Sequence, residues 1–554
     1  MLKYKIISSL DKALPSGTFD DYKEQSHLSV LRGETASFQL LYTIEGENQY
    51  PYSIDIKLSG ELADYTRLRE VSPVPAVSII REKVDDDYIT TSPTLIPDVL
   101  APMGYNGRFI AVPGALRTLW IDVSVPEDAR LSGKKELTVS LSFAKTKELL
   151  EEYIGDASVT VDILNCKLPE STLLFTQWFH HDCLANYYGV EMWSDRHFEI
   201  IDKFVECAVK NGINTLLTPI ITPPLDNAYD TRSFQLADVE LVGGEYVFSF
   251  DKLARWIDIC NRHGVKYFEI GHLFTQGGAK RATKVVGWVN GELVRLFPVD
   301  TPCDDPEYVR FLRALISSLI EYMKARGDDG RMMFHISDEP PLEDLETYSK
   351  ARGAIWDLIS DYRVFDALSD YKFYETGIVR TPVVLLEKLD NFIGRGVEDL
   401  WTYNCCIPKA GYSNRFLAMT LSRNRSISLL LYKFNIKGFL HWGYNFYNNL
   451  GSASHINPFL DTSAGGGFPA GDAFSVYPGE DGEPLESMRL VSFRQGLDDL
   501  RAFRLCEKLY SRDEVISVLE SELGHEIKTN TYVNDSDKMT ALRERINQMI
   551  KAKL

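Results

Sequence analysis

No stretch of this sequence approaches the roughly 20 consecutive apolar residues that a membrane-spanning helix needs. No cluster of lysine and arginine stands out either, and 79 acidic against 60 basic side chains give a net charge of -19 at pH 7. A surface of this sign repels phosphate backbones. We therefore expect neither a membrane nor a nucleic acid as a partner, and a neutral or cationic ligand is easier to accommodate.

Zinc-finger spacings and Cys-x-x-Cys pairs are also missing, although the chain has eight cysteines, of which Cys405 and Cys406 are adjacent. The N-terminal segment MLKYKIISSLDKAL alternates apolar and charged residues. It lacks the continuous apolar core of a secretory signal and predicts a strand instead. These features predict a cytoplasmic protein with buried, reduced thiols, and a redox pair at Cys405 and Cys406 is the alternative.

Residues 1–168 show the alternation of apolar and polar side chains that is typical of antiparallel strands. Leu119, Ile121, Val123 and Val125 alternate with Asp122 and Ser124, and the segments 137–143 and 157–163 repeat the pattern. In such strands one face packs on a core while the other face meets water. We predict an N-terminal antiparallel β-sandwich over residues 1–168 that carries no chemistry.

From Leu173 the pattern changes to short apolar segments that alternate with longer helical patterns, as in parallel βα units. One helix is predicted to begin at Asp305 and Pro306 and to end at Gly327. The eight candidate strands are Leu173–Phe179, Thr215–Ile220, Tyr267–Leu273, Met332–Asp338, Val364–Ser369, Leu400–Asn404, Gly438–Tyr444 and Ala473–Tyr477. This arrangement predicts a (β/α)8 TIM barrel over residues 169–505 and a helical extension over residues 506–554.

A doubly wound open sheet is the alternative to the barrel. It is disfavoured because no glycine-rich phosphate loop follows the first predicted strand. We expect no cofactor.

The carboxyl ends of barrel strands carry the active site in this class of fold. Here those ends are rich in aromatic and polar residues, which predicts a carbohydrate substrate, because flat rings cover the apolar face of a sugar while polar groups bind its hydroxyls. Packing in the barrel core is the alternative for each ring. The candidate substrate-binding residues are Trp178, His180, Asp182, His272, Asp370, Trp401, Tyr403, His441, Trp442, Tyr444 and Asn445.

The sharpest motif is His335-Ile-Ser-Asp338-Glu339-Pro340, at the end of the fourth predicted strand. Neighbouring side chains of a strand point to opposite faces, so Asp338 and Glu339 reach one pocket only if the strand ends between them. Pro340 favours such an end, because it restricts Glu339 to an extended conformation. The pair is therefore a candidate for acid–base chemistry, and capping of the following helix is the alternative.

The seventh predicted strand, Gly438–Tyr444, has no acid. Ordinary retaining glycosidases need a second carboxyl group as nucleophile, for which Asp182, Asp366 and Asp370 remain. The missing acid favours a substrate that supplies its own nucleophile. The carbonyl oxygen of a 2-acetamido group then attacks the anomeric carbon while an acid protonates the leaving oxygen.

At these residues the sequence resembles the bacterial family catalogued as domain of unknown function 4091, which is related to glycoside hydrolase family 123. The stretches that carry the resemblance lie along the predicted barrel. They are Thr176-Gln-Trp-Phe-His180 with Asp182, Leu217-Thr-Pro219 with Thr222-Pro-Pro224, His272-Leu-Phe-Thr-Gln276, His335-Ile-Ser-Asp-Glu-Pro340, Asp366-Ala-Leu-Ser-Asp370, Leu400-Trp-Thr-Tyr403, Gly438-Phe-Leu-His-Trp-Gly-Tyr-Asn445 and Gly471-Asp-Ala-Phe-Ser-Val-Tyr-Pro-Gly479.

Family 123 enzymes are N-acetyl-β-galactosaminidases that use substrate-assisted catalysis through an adjacent Asp–Glu pair. The resemblance implies that Asp338, as an anion, orients and stabilises the acetamido group and that Glu339 is the general acid/base. It also implies a retaining glycosidase for terminal 2-acetamido-2-deoxy-β-hexosides, with N-acetylgalactosaminides preferred. We expect Asp338 and Glu339 to share one pocket with Trp178, Trp401 and Trp442.

Two other function classes are compatible with the sequence. One is a non-catalytic barrel that binds glycans. The other is a metal-dependent hydrolase, with ligands drawn from His180, His181, Asp182, His272 and His441. Barrel metallohydrolases carry His-x-His on the first strand, whereas adjacent histidines diverge, so we expect no metal ligands.

Overall fold

The computed structural model describes residues 1–46, 50–77, 84–145, 152–223 and 234–554. Pro224, which is part of the resemblance, lies outside these ranges. The chain forms two compact units, of which the first comprises Met1–Ser171, Lys409–Lys433 and Leu485–Leu554 and the second comprises Thr172–Pro408 and Phe434–Pro484. The units interleave along the chain, and the boundaries at residues 168 and 505 stay a prediction.

The N-terminal part of the first unit is rich in strands, as expected. In chain order these are β1 (Leu2–Ser8), β2 (His27–Arg32), β3 (Thr35–Ile44), β4 (Tyr52–Ser59), β5 (Thr66–Ala76), β6 (Thr94–Pro102), β7 (Phe109–Ala111), β8 (Arg117–Ser124), β9 (Gly133–Phe143) and β10 (Glu152–Lys167). They form two five-stranded sheets, in the orders β1-β3-β8-β5-β6 and β2-β10-β9-β4-β7. The pairing is antiparallel except that β10 runs parallel to β2.

One apolar core joins the inner faces of these two sheets. It contains Leu119, Ile121 and Val123 of one sheet and Val159 and Val161 of the other, all buried. The alternation in the sequence corresponds to one buried face on β9, whereas on β8 the intervening Thr118, Trp120 and Asp122 are buried as well. The segment predicted to be a strand at the N-terminus is β1.

The first unit also contains helices and one further strand. These are α8 (Leu421–Arg425), α9 (Ile427–Lys433), β24 (Pro484–Glu486), α10 (Met488–Leu509), α11 (Arg512–Leu523) and α12 (Ser536–Lys551). The apolar residues of α12 that are buried include Leu542, Ile546, Met549 and Ile550. Arg543 on the same helix is also buried, and buried carboxylates pair with it. Its guanidinium lies 2.6 Å from Glu34 and 3.1 Å from Asp499. Pairing of this kind offsets the large cost of burying a charge.

The second unit contains strands β11 to β23. They are β11 (Leu174–Gln177), β12 (Thr215–Thr218), β13 (Asp238–Val242), β14 (Glu245–Ser249), β15 (Tyr267–Ile270), β16 (Val286–Val289), β17 (Glu292–Arg295), β18 (Met332–Phe334), β19 (Arg363–Leu368), β20 (Thr381–Leu385), β21 (Trp401–Tyr403), β22 (Gly438–His441) and β23 (Val476–Pro478). Eight of them close into a barrel in the order β11-β12-β15-β18-β19-β20-β21-β22, and all pairs are parallel. The strands β14-β13-β16-β17 form a separate sheet.

Seven barrel strands coincide with predicted segments, and the eighth does not. The prediction missed β20, whose sequence Thr-Pro-Val-Val-Leu has a proline, a residue that argues against a central strand. Pro382 is tolerated as the second residue of that strand. The predicted strand Ala473–Tyr477 was wrong, because the strand there is β23, which lies outside the barrel. Consequently β21 and β22 are the seventh and eighth barrel strands.

The helices of the second unit are α1 (His181–Tyr188), α2 (Asp195–Lys210), α3 (Asp251–His263), α4 (Pro306–Arg326), α5 (Leu345–Gly353), α6 (Trp356–Ile359) and α7 (Lys372–Glu375). The predicted ends of α4 are confirmed, since the Asp305 carboxylate accepts the N–H groups of Glu307 and Tyr308 and Gly327 is left-handed. Only the four-residue α7 lies between β19 and β20, and only the 3-10 helix Leu386–Asn391 lies between β20 and β21. The closed parallel barrel is confirmed, whereas one full helix after each strand is not.

Further 3-10 helices cover Phe19–Asp21, Ala63–Tyr65, Tyr105–Gly107, Asp329–Arg331, Leu342–Asp344 and Glu480–Gly482. Among the described residues, no helix is both long and apolar enough to cross a bilayer.

Trp401 and Gly438 form a tight contact inside the barrel. They are the first residues of β21 and β22 and are paired in register. Trp401 is fully buried, and a Cβ atom on Gly438 would lie 2.0 Å from its Cδ2 atom. The indole therefore fills the space that a side chain at residue 438 would need.

We predict that Gly438→Ala lowers the melting temperature by about 2–12 °C, because overpacking costs about 1–3 kcal/mol and each kcal/mol shifts a domain of this size by about 2–4 °C. Gly353→Ala is the matched control, since its Cβ would meet no atom within 4 Å. That variant should melt at the wild-type temperature or slightly higher. Equal melting temperatures for Gly438→Ala and the wild type, measured by calorimetry, would contradict the contact.

Candidate active site

The Asp338–Glu339 pair lies beyond the end of β18, in a turn of unusual backbone conformation. Glu339 has a φ of +45°, in the left-handed region that non-glycine residues seldom adopt. This differs from the extended conformation expected before Pro340. The N–H of Glu339 donates to the carbonyl of Ala367 on β19 at 3.0 Å. The turn leaves the Asp338 side chain buried and the Glu339 side chain exposed.

The two carboxyl groups consequently have different partners. Gln276 donates its side-chain N–H to Oδ2 of Asp338 at 2.8 Å. Tyr403, at the end of β21, donates its hydroxyl to Oε1 of Glu339. Burial and the adjacent Glu339 charge raise the pKa of Asp338 to about 7, although Gln276 and the charge of His335 oppose the rise. Burial and Glu339 also raise the pKa of Tyr403, so its hydroxyl stays a donor.

Trp178 follows β11, and a chain of two histidines, His272 and His335, leads from its ring towards the segment that carries Asp338. Its indole N–H donates to Glu269 at 2.7 Å, and its ring meets His272 edge-on at 5.1 Å. His272 in turn stacks on His335 with ring centroids 4.2 Å apart. This chain of contacts brings Trp178 and His272 to the same side of the barrel as Asp338.

His272 is 1% exposed, and neither of its ring nitrogens has a hydrogen-bond partner among the described residues. Burial, together with the charge of His335, holds its pKa well below the usual range. The ring is therefore neutral, with one donor and one acceptor that no described residue satisfies. Such a group is suited to a polar ligand or to water.

A possible metal trio is formed by His272, His335 and Asp366, whose ligand atoms lie within 4.8 Å of one another. However, Nε2 of His335 lies 2.6 Å from Glu269, and Nδ1 lies 3.0 Å from Asp366. Burial lowers the pKa of His335, but its hydrogen bonds to Asp366 and Glu269 outweigh burial and raise it to about 9. Both ring nitrogens of His335 are thus engaged by carboxylates, so this arrangement presents no free lone pair of His335 to a metal.

Besides the residues around Asp338 and Glu339, other predicted residues surround Trp442, which follows β22. The Trp442 N–H donates to Asp472 at 3.1 Å, and its ring packs on Phe446 and Phe468. The Trp442 carbonyl lies 2.9 Å from Nε2 of His180.

Asn445 and His441 belong to the same group. The Asn445 side chain exchanges two hydrogen bonds with the backbone of His180, at 2.9 and 3.0 Å. His441 accepts the N–H of Gly443 on Nδ1, and its Nε2 lies 3.4 Å from Asp472. Both histidines are thus tied to the chain segment that carries Trp442.

The Cys405 thiol is subject to the charges of both Glu339 and Asp472. It follows Tyr403 by two residues, and its pKa is raised by Cys406, by burial and by the charges of Asp472 and Glu339. The two sulfur atoms of Cys405 and Cys406 are 3.9 Å apart, and no disulfide joins them.

His181 and Asp182, the remaining candidates of the metal hypothesis, have partners of their own. His181 packs among Phe179, Trp193 and Trp256. Asp182 accepts the side-chain N–H of Asn448 at 3.0 Å. The described residues of that hypothesis therefore do not converge on one point.

Three further predicted residues lie apart from the pair. Trp401 is in the barrel core, against Phe365 and Gly438. The Tyr444 hydroxyl donates to the backbone carbonyl of Phe204 at 2.9 Å. Asp370 accepts the N–H of Lys372 at the start of α7. Trp401 was wrongly predicted to lie in one pocket with Asp338 and Glu339, because it begins its strand instead of ending it. A pocket that joins the pair to Trp178 and Trp442 stays a prediction.

The sequence model described as Glycoside hydrolase 123, catalytic domain, matches residues 178–506, which is more than half of the chain. The chain belongs to glycoside hydrolase family 123. No curated protein matches it in a sequence comparison.

Among solved structures, this family 123 chain is similar to a family 123 glycoside hydrolase from Clostridium perfringens, whose structure was analysed for the details of glycolipid glycan hydrolysis. The superposition covers 100% of this chain and 99% of the Clostridium chain, with a TM-score of 0.74 and 16% sequence identity. At that identity the likeness shows the fold alone. The N-terminal domain of PorA reaches a TM-score of 0.15 at 8% identity, over 30% of this chain and 99% of its own. Chitinase ChiW from Paenibacillus reaches a TM-score of 0.20 at 11% identity, over 90% of this chain and 53% of its own. TM-scores this low do not indicate a shared fold.

Three polar residues of this family 123 barrel were missed by the sequence predictions, namely Glu269, Gln276 and Asp472. Glu269 is a charge inside the apolar strand Tyr-Phe-Glu-Ile, which is a detectable signal, because an unpaired charge is rarely buried. Gln276 and Asp472 occur in stretches that carry the family resemblance, but nothing in their spacing indicated contacts with Asp338 and Trp442.

Proposed function

We propose that this chain is a retaining glycosidase that cleaves terminal 2-acetamido-2-deoxy-β-hexosides, with N-acetylgalactosaminides preferred, and that residues 169–505 act as its catalytic domain. The observation that carries the proposal is the turn that parts Asp338 from Glu339. It gives two adjacent carboxyl groups, one buried and one exposed. Membership of family 123 supports hydrolysis of a glycosidic bond in a carbohydrate substrate.

In the proposed first step, the acetamido carbonyl oxygen of the substrate attacks the anomeric carbon. Glu339 gives its proton to the leaving oxygen, which departs with the bonding electrons. Asp338, as an anion, accepts the acetamido N–H and offsets the positive charge of the forming oxazolinium ring. Water then opens this ring with Glu339 as general base, so the anomeric configuration is retained.

The neighbouring residues suit these two roles. Gln276 holds one oxygen of Asp338, which leaves the other for the acetamido group. The Tyr403 hydroxyl orients Glu339. We propose that Trp178 and Trp442 cover the apolar face of the sugar and that His272 binds a hydroxyl. His180, His441 and Asn445 would fix the Trp442 segment through the contacts described above.

The first prediction concerns the nucleophile. Aryl β-glycosides of N-acetylgalactosamine should be cleaved, those of N-acetylglucosamine more slowly, and those without the 2-acetamido group at least about 10³-fold more slowly, because the latter lack the attacking oxygen. Release of the aryl group measures all three rates. A covalent 2-fluoro-sugar adduct on Asp182, Asp366 or Asp370, detected by mass spectrometry, would instead reveal a protein nucleophile.

The second prediction concerns Glu339. Glu339→Gln should lower kcat/KM by about 10²–10⁴-fold on substrates with poor leaving groups, since these need protonation, and much less on activated aryl glycosides. Glu343→Gln, at an exposed glutamate on the same segment, is the control and should keep wild-type rates. Equal losses on both substrate types would contradict the role of general acid.

The third prediction concerns pH. Asp338 is protonated below its pKa of about 7 and anionic above it. Because the proposed step needs Asp338 as the anion while Glu339 keeps its proton, kcat/KM should rise with pH on an acid limb below about 7, since the Glu339 charge that helps to raise the pKa of Asp338 is absent in that state. In Asp338→Asn the rate should fall by about 10²-fold or more, and this rise should vanish. An unchanged acid limb in Asp338→Asn would assign the titration to another group.

A further inference from the structure

Three ionisable side chains are completely buried on adjacent strands beneath the Asp338–Glu339 turn. Glu269 is on β15, His335 directly follows β18, and Asp366 is on β19, each with 0% exposure. Burying an ion costs several kcal/mol unless partners compensate. A cluster of this kind therefore needs an explanation, and none of the three residues has a part in the proposed steps.

His335 is held between the two acids. Its Nε2 is 2.6 Å from Oε1 of Glu269, and its Nδ1 is 3.0 Å from Oδ1 of Asp366. A neutral imidazole would direct a lone pair at one of these carboxylates, whereas an imidazolium donates to both. The geometry therefore indicates a cation between two anions.

Asp366 also holds the backbone that leads into the catalytic pair. Its oxygens accept the N–H of Ile336 at 3.1 and 3.2 Å and face the N–H of Ser337 at 3.5 Å. The Tyr348 hydroxyl donates to the same carboxylate. The next residue, Ala367, accepts the N–H of Glu339. The end of β19 thus fixes the segment on both sides of Asp338.

Glu269 extends the cluster towards the substrate side. The carboxylate accepts the hydroxyl of Thr176 and the indole N–H of Trp178. His335 therefore links Glu269, which orients Trp178, with Asp366, which orients the backbone next to Asp338.

We propose that Glu269, His335 and Asp366 are positioning residues that hold the Asp338–Glu339 turn and the Trp178 ring in the arrangement that catalysis requires. This proposal rests on the proposed function. The charged or titratable groups that face Asp338 are Glu339, His335, Asp366 and Tyr403. Those that face His335 are Glu269, Asp366, His272 and Asp338. The positioning residues act through Asp338, Glu339 and Trp178 and do not themselves touch the substrate.

The experiment combines kinetics with a direct view of His335. Asp366→Asn and Tyr348→Phe remove a charge and a hydroxyl at nearly constant volume. Tyr447→Phe is the matched control, because this equally buried tyrosine donates its hydroxyl to the carbonyl of Val476. The double variant of residues 348 and 366 completes a mutant cycle. NMR of protein with ¹⁵N-labelled histidine at pH about 8 reports the protonation of each ring.

We expect kcat on an aryl N-acetylgalactosaminide to fall about 10²-fold in Asp366→Asn and about 3–10-fold in Tyr348→Phe, with KM within about threefold of wild type and Tyr447→Phe unchanged. Tyr348→Phe should have no further effect in the Asp366→Asn background, because both act through one carboxylate. The wild-type spectrum should contain a histidine protonated on both nitrogens, and its signal should be absent in His335→Gln and lost near pH 8 in Asp366→Asn.

Wild-type kcat in folded Asp366→Asn, additive losses in the cycle, a neutral His335 or a stoichiometric metal bound to it would each overturn the positioning role. A merely structural role would lower the melting temperature and leave kcat per folded molecule unchanged. The proposed function fails separately: a wild type without turnover on any glycoside overturns both proposals, whereas an active wild type with an unaffected Asp366→Asn overturns this one alone.

Discussion

Inside the barrel, the carboxylate of Asp366 accepts hydrogen bonds from the Ile336 amide, from Tyr348 and from His335, with the Ser337 amide at 3.5 Å. A fully buried carboxylate is stable only when donors of this kind replace its water. The amides belong to the segment that continues into Asp338. The requirement to satisfy one buried ion therefore constrains the backbone on which the chemistry of this barrel depends.

The left-handed residue at 339 follows from that constraint. A conformation of this kind costs on the order of 1–3 kcal/mol and persists only where the surroundings enforce it. Here the fixed amides of Ile336 and Ser337 lie on one side, and the bond from Glu339 to Ala367 lies on the other. Two residues adjacent in the sequence thereby gain opposite environments, so that one carboxyl group meets solvent and the other does not.

The barrel was predictable from the sequence because short apolar strands and capped helices leave a local pattern, as for Asp305 and Gly327 at the ends of α4. Local pattern also explains the errors: Pro382 concealed β20, while the apolar run at Ala473–Tyr477 imitated a barrel strand. For the site, position at a strand end located Asp338, Glu339 and Trp178 but misplaced Trp401. The pairing of His335 with Glu269 joins residues 66 positions apart. Only closure of the barrel creates such a contact.

The charge of the site also follows from these contacts. Three buried carboxyl groups, Glu269, Asp338 and Asp366, lie around the single cation His335. When Asp338 is ionised, the cluster is negative overall, and in a medium of low dielectric this favours a positive charge developing nearby. The same field, together with burial, makes Asp338 harder to ionise, which its raised pKa of about 7 reflects. The charge of His335 lowers that pKa and so favours the carboxylate form of Asp338, which is the form that stabilises a cationic intermediate.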